Sequence, residues 1–117
     1  MTCDELSDLL SIQRFNFCSE LELQDGIESV IRNAGLEYER EFKIGPGSRI
    51  DFLVGDVGVE VKIGGSLQAA TRQLHRYAQS EAIGSLILVS SRLFHSYFPE
   101  TLNGKQLRVV NLINSAI

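Results

Sequence analysis

The residues best suited to chemistry lie in one short stretch, Arg49 to Ile63, which holds Asp51, Glu60 and Lys62. Gly55-Asp56 in its middle suits a two-residue hairpin loop with Gly at the first central position. That loop pairs Val54 with Val57, Leu53 with Gly58, Phe52 with Val59, Asp51 with Glu60, and Arg49 with Lys62. Side chains alternate across a strand, so one face carries Ile50, Phe52, Val54, Val57, Val59, Val61 and Ile63, all apolar. The other carries Arg49, Asp51, Leu53, Gly58, Glu60 and Lys62. Two carboxylates then face each other, roughly 5 Å apart at Cβ. Like charges there repel unless a cation sits between them. A divalent metal with hard oxygen ligands is the natural occupant, and Mg²⁺ is the usual one where carboxylates are few. Lys62, two residues past Glu60 on the same face, is placed to hold an attacking water or steady charge on a phosphate. The plain alternative is a half-exposed hairpin in which Arg49 and Lys62 neutralise the acids.

Elements on both sides must position this hairpin. Asp4 to Arg14 reads as a short helix with Leu6, Leu9 and Leu10 on one face. The run Phe15 to Ser19 breaks the pattern. A second helix is expected from about Glu22 to Ala34, with Ile27, Val30, Ile31 and Ala34 as its stripe and Gly35 as its stop. Glu37 to Ile44 reads as a strand, Gly45-Pro46-Gly47 as a turn, and Arg49–Val54 and Val57–Ile63 as two further strands. Ser66 can cap a helix running to about Ser80, with Leu67, Ala70, Leu74 and Tyr77 on its apolar side. Leu86–Val89 reads as a buried strand and Leu93–Phe98 as a short helix or ordered loop. Pro99 and Asn103-Gly104 punctuate, and Leu107–Leu112 is the last strand. The step from the third strand through the Ser66 helix to Leu86–Val89 is a crossover, normally right-handed and parallel. The three strands before it should be antiparallel. The expected fold is α/β, a mixed sheet flanked by helices.

These pieces resemble the PD-(D/E)XK nuclease superfamily, with its restriction-endonuclease-like fold. The matching residues are Asp51, then Glu60-Val61-Lys62, then Gln73 and Tyr77 on the following helix, in the core order α-β-β-β-α-β. The chain is similar in compactness to Holliday-junction resolvases and to small phage and repair nucleases. The resemblance covers residues 22–112, with 1–20 expected as a helical extension of a single domain, 1–117. It departs from the pattern at Ile50, where relatives often have Pro. The resemblance implies Mg²⁺-dependent (or Mn²⁺-dependent) hydrolysis of DNA phosphodiesters. It makes Asp51, Glu60 and Lys62 catalytic, and gives Gln73 a supporting role near the nucleophile or phosphate. Asp51, Glu60 and the Val61 carbonyl become metal ligands. Glu28 resembles a third acidic ligand, with Glu22 and Asp25 as competitors and a solvated helix acid as the plain reading. Arg72 and Arg76, one helical turn apart, are candidate DNA-backbone contacts, or simply a solvated face. Tyr77 is grouped with them as a DNA-binding residue, or as a core residue with a polar tip.

Composition bounds this reading. The chain has 117 residues and a net charge of −4, which on its face argues against a nucleic-acid partner. Its first 28 residues hold seven acids and one base, while Arg40 to Arg76 holds six bases against four acids. An acidic front and a mildly basic body are compatible with phosphate binding. No apolar run approaches the roughly 18–20 residues of a membrane span, and the acidic start lacks the basic front of a secretory signal. Cys3 and Cys18 fit neither a disulfide framework nor a zinc spacing, so a cytoplasmic, reducing setting is expected. His75 and His95 have no partners at ligand spacing. Gly64-Gly65-Ser66 reads as an ordinary strand-to-helix connection, and Gly45-Pro46-Gly47 is no phosphate loop, since no Lys-Ser/Thr follows it. A homodimer is a plausible assembly on symmetric DNA. The rival from a different class is a non-catalytic DNA-binding or protein-interaction module on the same fold.

Overall fold

Thr2 opens the first helix, α1 (Cys3–Ser11). Its hydroxyl accepts the Glu5 N–H at 3.1 Å, and the Glu5 carboxylate accepts the Thr2 N–H at 2.9 Å, a reciprocal capping box. The computed structural model to which this helix belongs describes residues 1–91 and 98–112. Helix α2 (Glu20–Asn33) starts behind Ser19, whose hydroxyl accepts the Glu22 N–H. Strands β1 (Glu39–Gly45), β2 (Ser48–Val54) and β3 (Val57–Lys62) follow. Helix α3 (Leu67–Ala78), capped by Ser66 as expected, leads to β4 (Ser85–Ser90), β5 (Thr101–Leu102) and β6 (Lys105–Asn111). The expected element at Leu93–Phe98 falls almost wholly on residues 92–97, outside the described residues.

Among the described residues this is a mixed α/β fold of three helices and one six-stranded sheet, in the order β1-β2-β3-β4-β6-β5. The first three strands are antiparallel neighbours, and β3, β4 and β6 are parallel. The βαβ crossover is therefore where the sequence places it. Strand β4 is buried along its whole length. Its Ile87 and Val89 point to one face, and Leu86 and Leu88 to the other, which is why it reads as a continuous apolar run. Helices α1 and α2 cover the first face with Leu6, Leu10, Leu23, Ile27 and Ile31. Helix α3 covers the second with Leu74, Tyr77 and Ala78.

The N-terminal helical extension, residues 1–20, packs into the core: Leu6 and Leu10 are fully buried, and Phe15 and Phe17 join the same cluster. Strand β5 is not legible in the sequence, and Asn103-Gly104 is the turn that joins it to β6. Both turn residues have positive φ, 51° and 76°, as a tight hairpin of the favoured hand requires.

Candidate active site at the parting of two strands

The Gly55-Asp56 loop sets the register as the sequence predicts. Gly55 has φ of 62°, and Val54 pairs with Val57, Leu53 with Gly58, and Phe52 with Val59. The strands then part. The Asp51–Glu60 and Arg49–Lys62 pairs do not form, and Arg49 is instead opposite Lys43 of β1. In the gap, side chains replace the ladder. The Val61 N–H donates to Asp51 Oδ2 at 2.7 Å, and the Asp51 N–H donates to Glu60 Oε1 at 3.3 Å.

The cause is a change of face at Asp51. Ile50 joins the core under α3, whereas Phe52 joins the core under α1 and α2. Strict alternation would put both on one face, as the sequence suggests. Ile50 lies over Gly58, where an added Cβ would come within 2.6 Å of its Cδ1. On β1, Glu41 across from Asp51 has φ of 55°, a left-handed conformation unfavourable for a residue with a Cβ. Neither Glu41 nor Asp51 has a register partner, although the pairs on both sides of them form. The ladder is interrupted on both sides of Asp51.

Glu60 is 3% exposed. Its Oε2 is 3.4 Å from Lys62 Nζ and 3.3 Å from the Tyr77 hydroxyl. Burial, and then the charge of Asp51, push the Glu60 carboxyl up to about 8, against the pull of Lys62. Asp51 is also raised by burial, with the Val61 N–H as the largest opposing effect and a hydrogen bond to Glu60 next. The two acids behave as a pair that retains a proton near neutrality unless more positive charge arrives. The backbone of Lys62 is fixed by the Ser91 N–H, which donates to its carbonyl at 3.3 Å.

Tyr77 is fully buried, which fits the reading of a core residue with a polar tip and not that of a DNA-surface contact. Its hydroxyl donates to the Arg49 carbonyl at 2.7 Å, so it ties α3 to the strand that carries Asp51. Burial and the two nearby acids raise its hydroxyl pKa, keeping it a neutral donor. Gln73, one turn earlier and half-buried, lies beside that hydroxyl. It therefore reaches Glu60 through Tyr77. Arg72 and Arg76 are exposed on the outer side of α3, as is His75.

Glu28 is not brought to the pair. Its carboxylate accepts from Arg40 at 3.1 Å and from the Tyr38 hydroxyl at 2.9 Å, with Arg32 3.7 Å away. Asp25 pairs with Arg40 at 2.8 Å, and Glu22 accepts the Cys18 N–H. The acid from α2 that does reach the site is Glu20. Its pKa is raised by burial and by Asp51, against the pull of Lys62 and of the Ile63 backbone. The sequence carries a signal for it: Ser19-Glu20-Leu21-Glu22 is a capping sequence that starts the helix at Glu20. Starting the helix at Glu22 hides this position.

Among the described residues, no three His, Cys, Asp or Glu side chains form a group that could by itself hold a metal ion. Asp51, Glu60 and the Val61 carbonyl offer two carboxylates and one carbonyl, all hard oxygen donors. That set suits Mg²⁺ when waters and substrate phosphates complete the shell. The excess of negative charge in the pair is the other half of the fit. No described helix is long and apolar enough to cross a membrane. No known protein family, characterised protein or solved structure matches this chain.

Proposed function

We propose that this chain is a metal-dependent nuclease that hydrolyses DNA phosphodiesters, built on a restriction-endonuclease-like sheet. One observation carries the reading. Asp51 and Glu60 meet where β2 and β3 part, each holding the other strand's backbone, with Lys62 3.4 Å from Glu60. Asp51, Glu60 and the Val61 carbonyl would hold a divalent cation, which when bound supplies an acidified water and a polarised phosphoryl oxygen. The chain's own groups do the rest. Lys62 steadies negative charge as it develops on the phosphate. Tyr77 and Gln73 fix the direction of Glu60, and Glu20 adds negative charge beside Lys62 and Asp51. With little room for a sequence-reading insert, structure-selective or nonspecific cutting fits better than site-specific restriction.

The net charge of −4 favours the rival, a non-catalytic binding module on the same fold. Single-turnover cleavage of linear, flapped and four-way DNA in Mg²⁺ separates the two. Cutting that disappears in Asp51→Asn and Glu60→Gln supports the enzyme. DNA binding without cutting of any of these substrates establishes the module instead.

A further inference from the structure

The β1–β2 hairpin carries a second group of residues, apart from the carboxylates. Lys43 and Arg49 are direct register partners and both are exposed. Phe42, Ile44 and Ile50 turn toward the core under α3, so Lys43 and Arg49 share the opposite side. Neither has an acidic partner among the described residues. Like charges directly opposite each other on neighbouring strands destabilise a sheet, so the pair is not there to hold the hairpin together.

These two side chains, with Gly45, Pro46, Gly47 and Ser48, line a concavity of about 410 Å³. The Ser48 side chain turns the other way, with Ile50, and its Oγ is buried. Two facing cations at one hollow are complementary to an anion with several acceptor oxygens. The hollow is coupled to the carboxylate site. Arg49 is two residues before Asp51, roughly 6–7 Å along the strand, and its carbonyl is the one held by Tyr77.

We infer that the Lys43–Arg49 hollow binds a backbone phosphate of the nucleic acid, next to the phosphate presented to Asp51 and Glu60. The assignment of that phosphate to nucleic acid rests on the nuclease reading; the anion preference of the hollow follows from the hairpin's own residues.

The test is binding of a short labelled duplex to the full chain in EDTA, followed by anisotropy over a range of salt. In K43Q/R49Q the log–log salt slope should become shallower by about 1.8, two phosphate contacts' worth, and affinity near ~0.1 M salt should fall roughly ten- to a hundredfold. The curves should converge as salt rises, and the melting temperature should hold or increase. An unchanged slope and affinity in the double variant overturns the inference. Inorganic phosphate at constant ionic strength distinguishes the source. If it stabilises the wild type but not K43Q/R49Q while the two DNA slopes agree, the hollow takes free phosphate and the backbone assignment falls. Mg²⁺ cleavage by the same preparations keeps the two readings apart. A lost slope with no cleavage by wild type supports the hollow and removes the nuclease. Cleavage with an unchanged slope does the reverse, and a wild type that binds no duplex at low salt overturns both.

Discussion

Replacing Glu60 by Gln should abolish a pH dependence of stability that the wild type must show without metal. In the folded chain the Glu60 carboxyl is pushed up to about 8 by burial and by Asp51. Unfolded, it returns to an ordinary value of about 4.3. Between these values the native state binds the extra proton, so stability is fully present at low pH and is lost as pH rises through about 8. The slope for one proton is at most about 1.4 kcal/mol per pH unit. Asp51 shares the proton and Lys62 offsets part of the repulsion, so a loss of about 2–4 kcal/mol between pH 5 and 8.5 is expected. In the Glu60→Gln variant the side-chain amide can still accept the Asp51 N–H and meet the Tyr77 hydroxyl, but it does not titrate. Urea unfolding in EDTA across that range measures the effect. Mg²⁺ should restore the wild type at the alkaline end, because it binds the folded, ionised pair. A wild-type stability that stays flat from pH 5 to 8.5, or an equal slope in Glu60→Gln, would refute the reasoning.

Lys62→Ala should leave the fold nearly intact and cut the single-turnover rate by about two to three orders of magnitude, a loss of roughly 3–4 kcal/mol. Affinity for DNA in Ca²⁺ should change far less, and equal losses in rate and affinity would instead favour the binding module. Tyr77→Phe strands the Arg49 carbonyl and one side of Glu60. It should lower stability by about 1–3 kcal/mol in thermal unfolding, with a fold still native by circular dichroism. If Arg72 and Arg76 touch the backbone, R72A/R76A should weaken binding of all sequences alike and flatten the salt slope by roughly one unit per contact; an unchanged slope assigns them to a solvated face.

Where local chemistry decides the structure, the sequence is a good guide. Gly55-Asp56 permits few hairpin geometries, so the first three pairs of β2 and β3 are legible, and Ser66 marks the start of α3. The crossover follows from an antiparallel meander leading into a helix and a buried strand. What fails is the assumption of unbroken alternation. A change of face at one residue leaves no mark in the letters, because Ile50 and Phe52 are both apolar and suit either core. The Glu41 backbone that accompanies it belongs to a residue type that rarely adopts positive φ. Strand β5 has only Thr101 and Leu102, too few for a pattern. Glu28 stands out in the sequence, ahead of Glu20, because it neighbours the apolar stripe of α2. That criterion finds residues near the core, but the carboxylate pair lies beyond the helix start. Arg40 is the residue that draws Glu28 away, and its guanidinium also lies 5.6 Å over the Phe52 ring.

If the pair did no chemistry, the fold would need only its two hydrogen bonds. Parting β2 from β3 leaves the Asp51 and Val61 N–H groups without ladder partners, and the two carboxylates answer that need. Amide oxygens would answer it equally well. Asn at position 51 and Gln at position 60 could accept the same two N–H bonds without placing two acids together in a buried gap. Glu60 is 3% exposed and Lys62 is its one ion-pair partner among the described residues, so the existing cation does not balance both acids and Glu20 once all are ionised, and the pair keeps a proton instead. The charge therefore exceeds what the architecture requires, and it costs stability that uncharged residues would keep. Burying like charges against Lys62, on a strand tied to α3 by Tyr77, makes sense where a cationic ligand completes the site. The same logic applies with opposite sign to Lys43 and Arg49 on the adjoining hairpin, where two cations face each other and an anion is the partner we propose. A divalent cation beside a phosphodiester would provide the first in the metal, and the second in the neighbouring phosphate of the same strand.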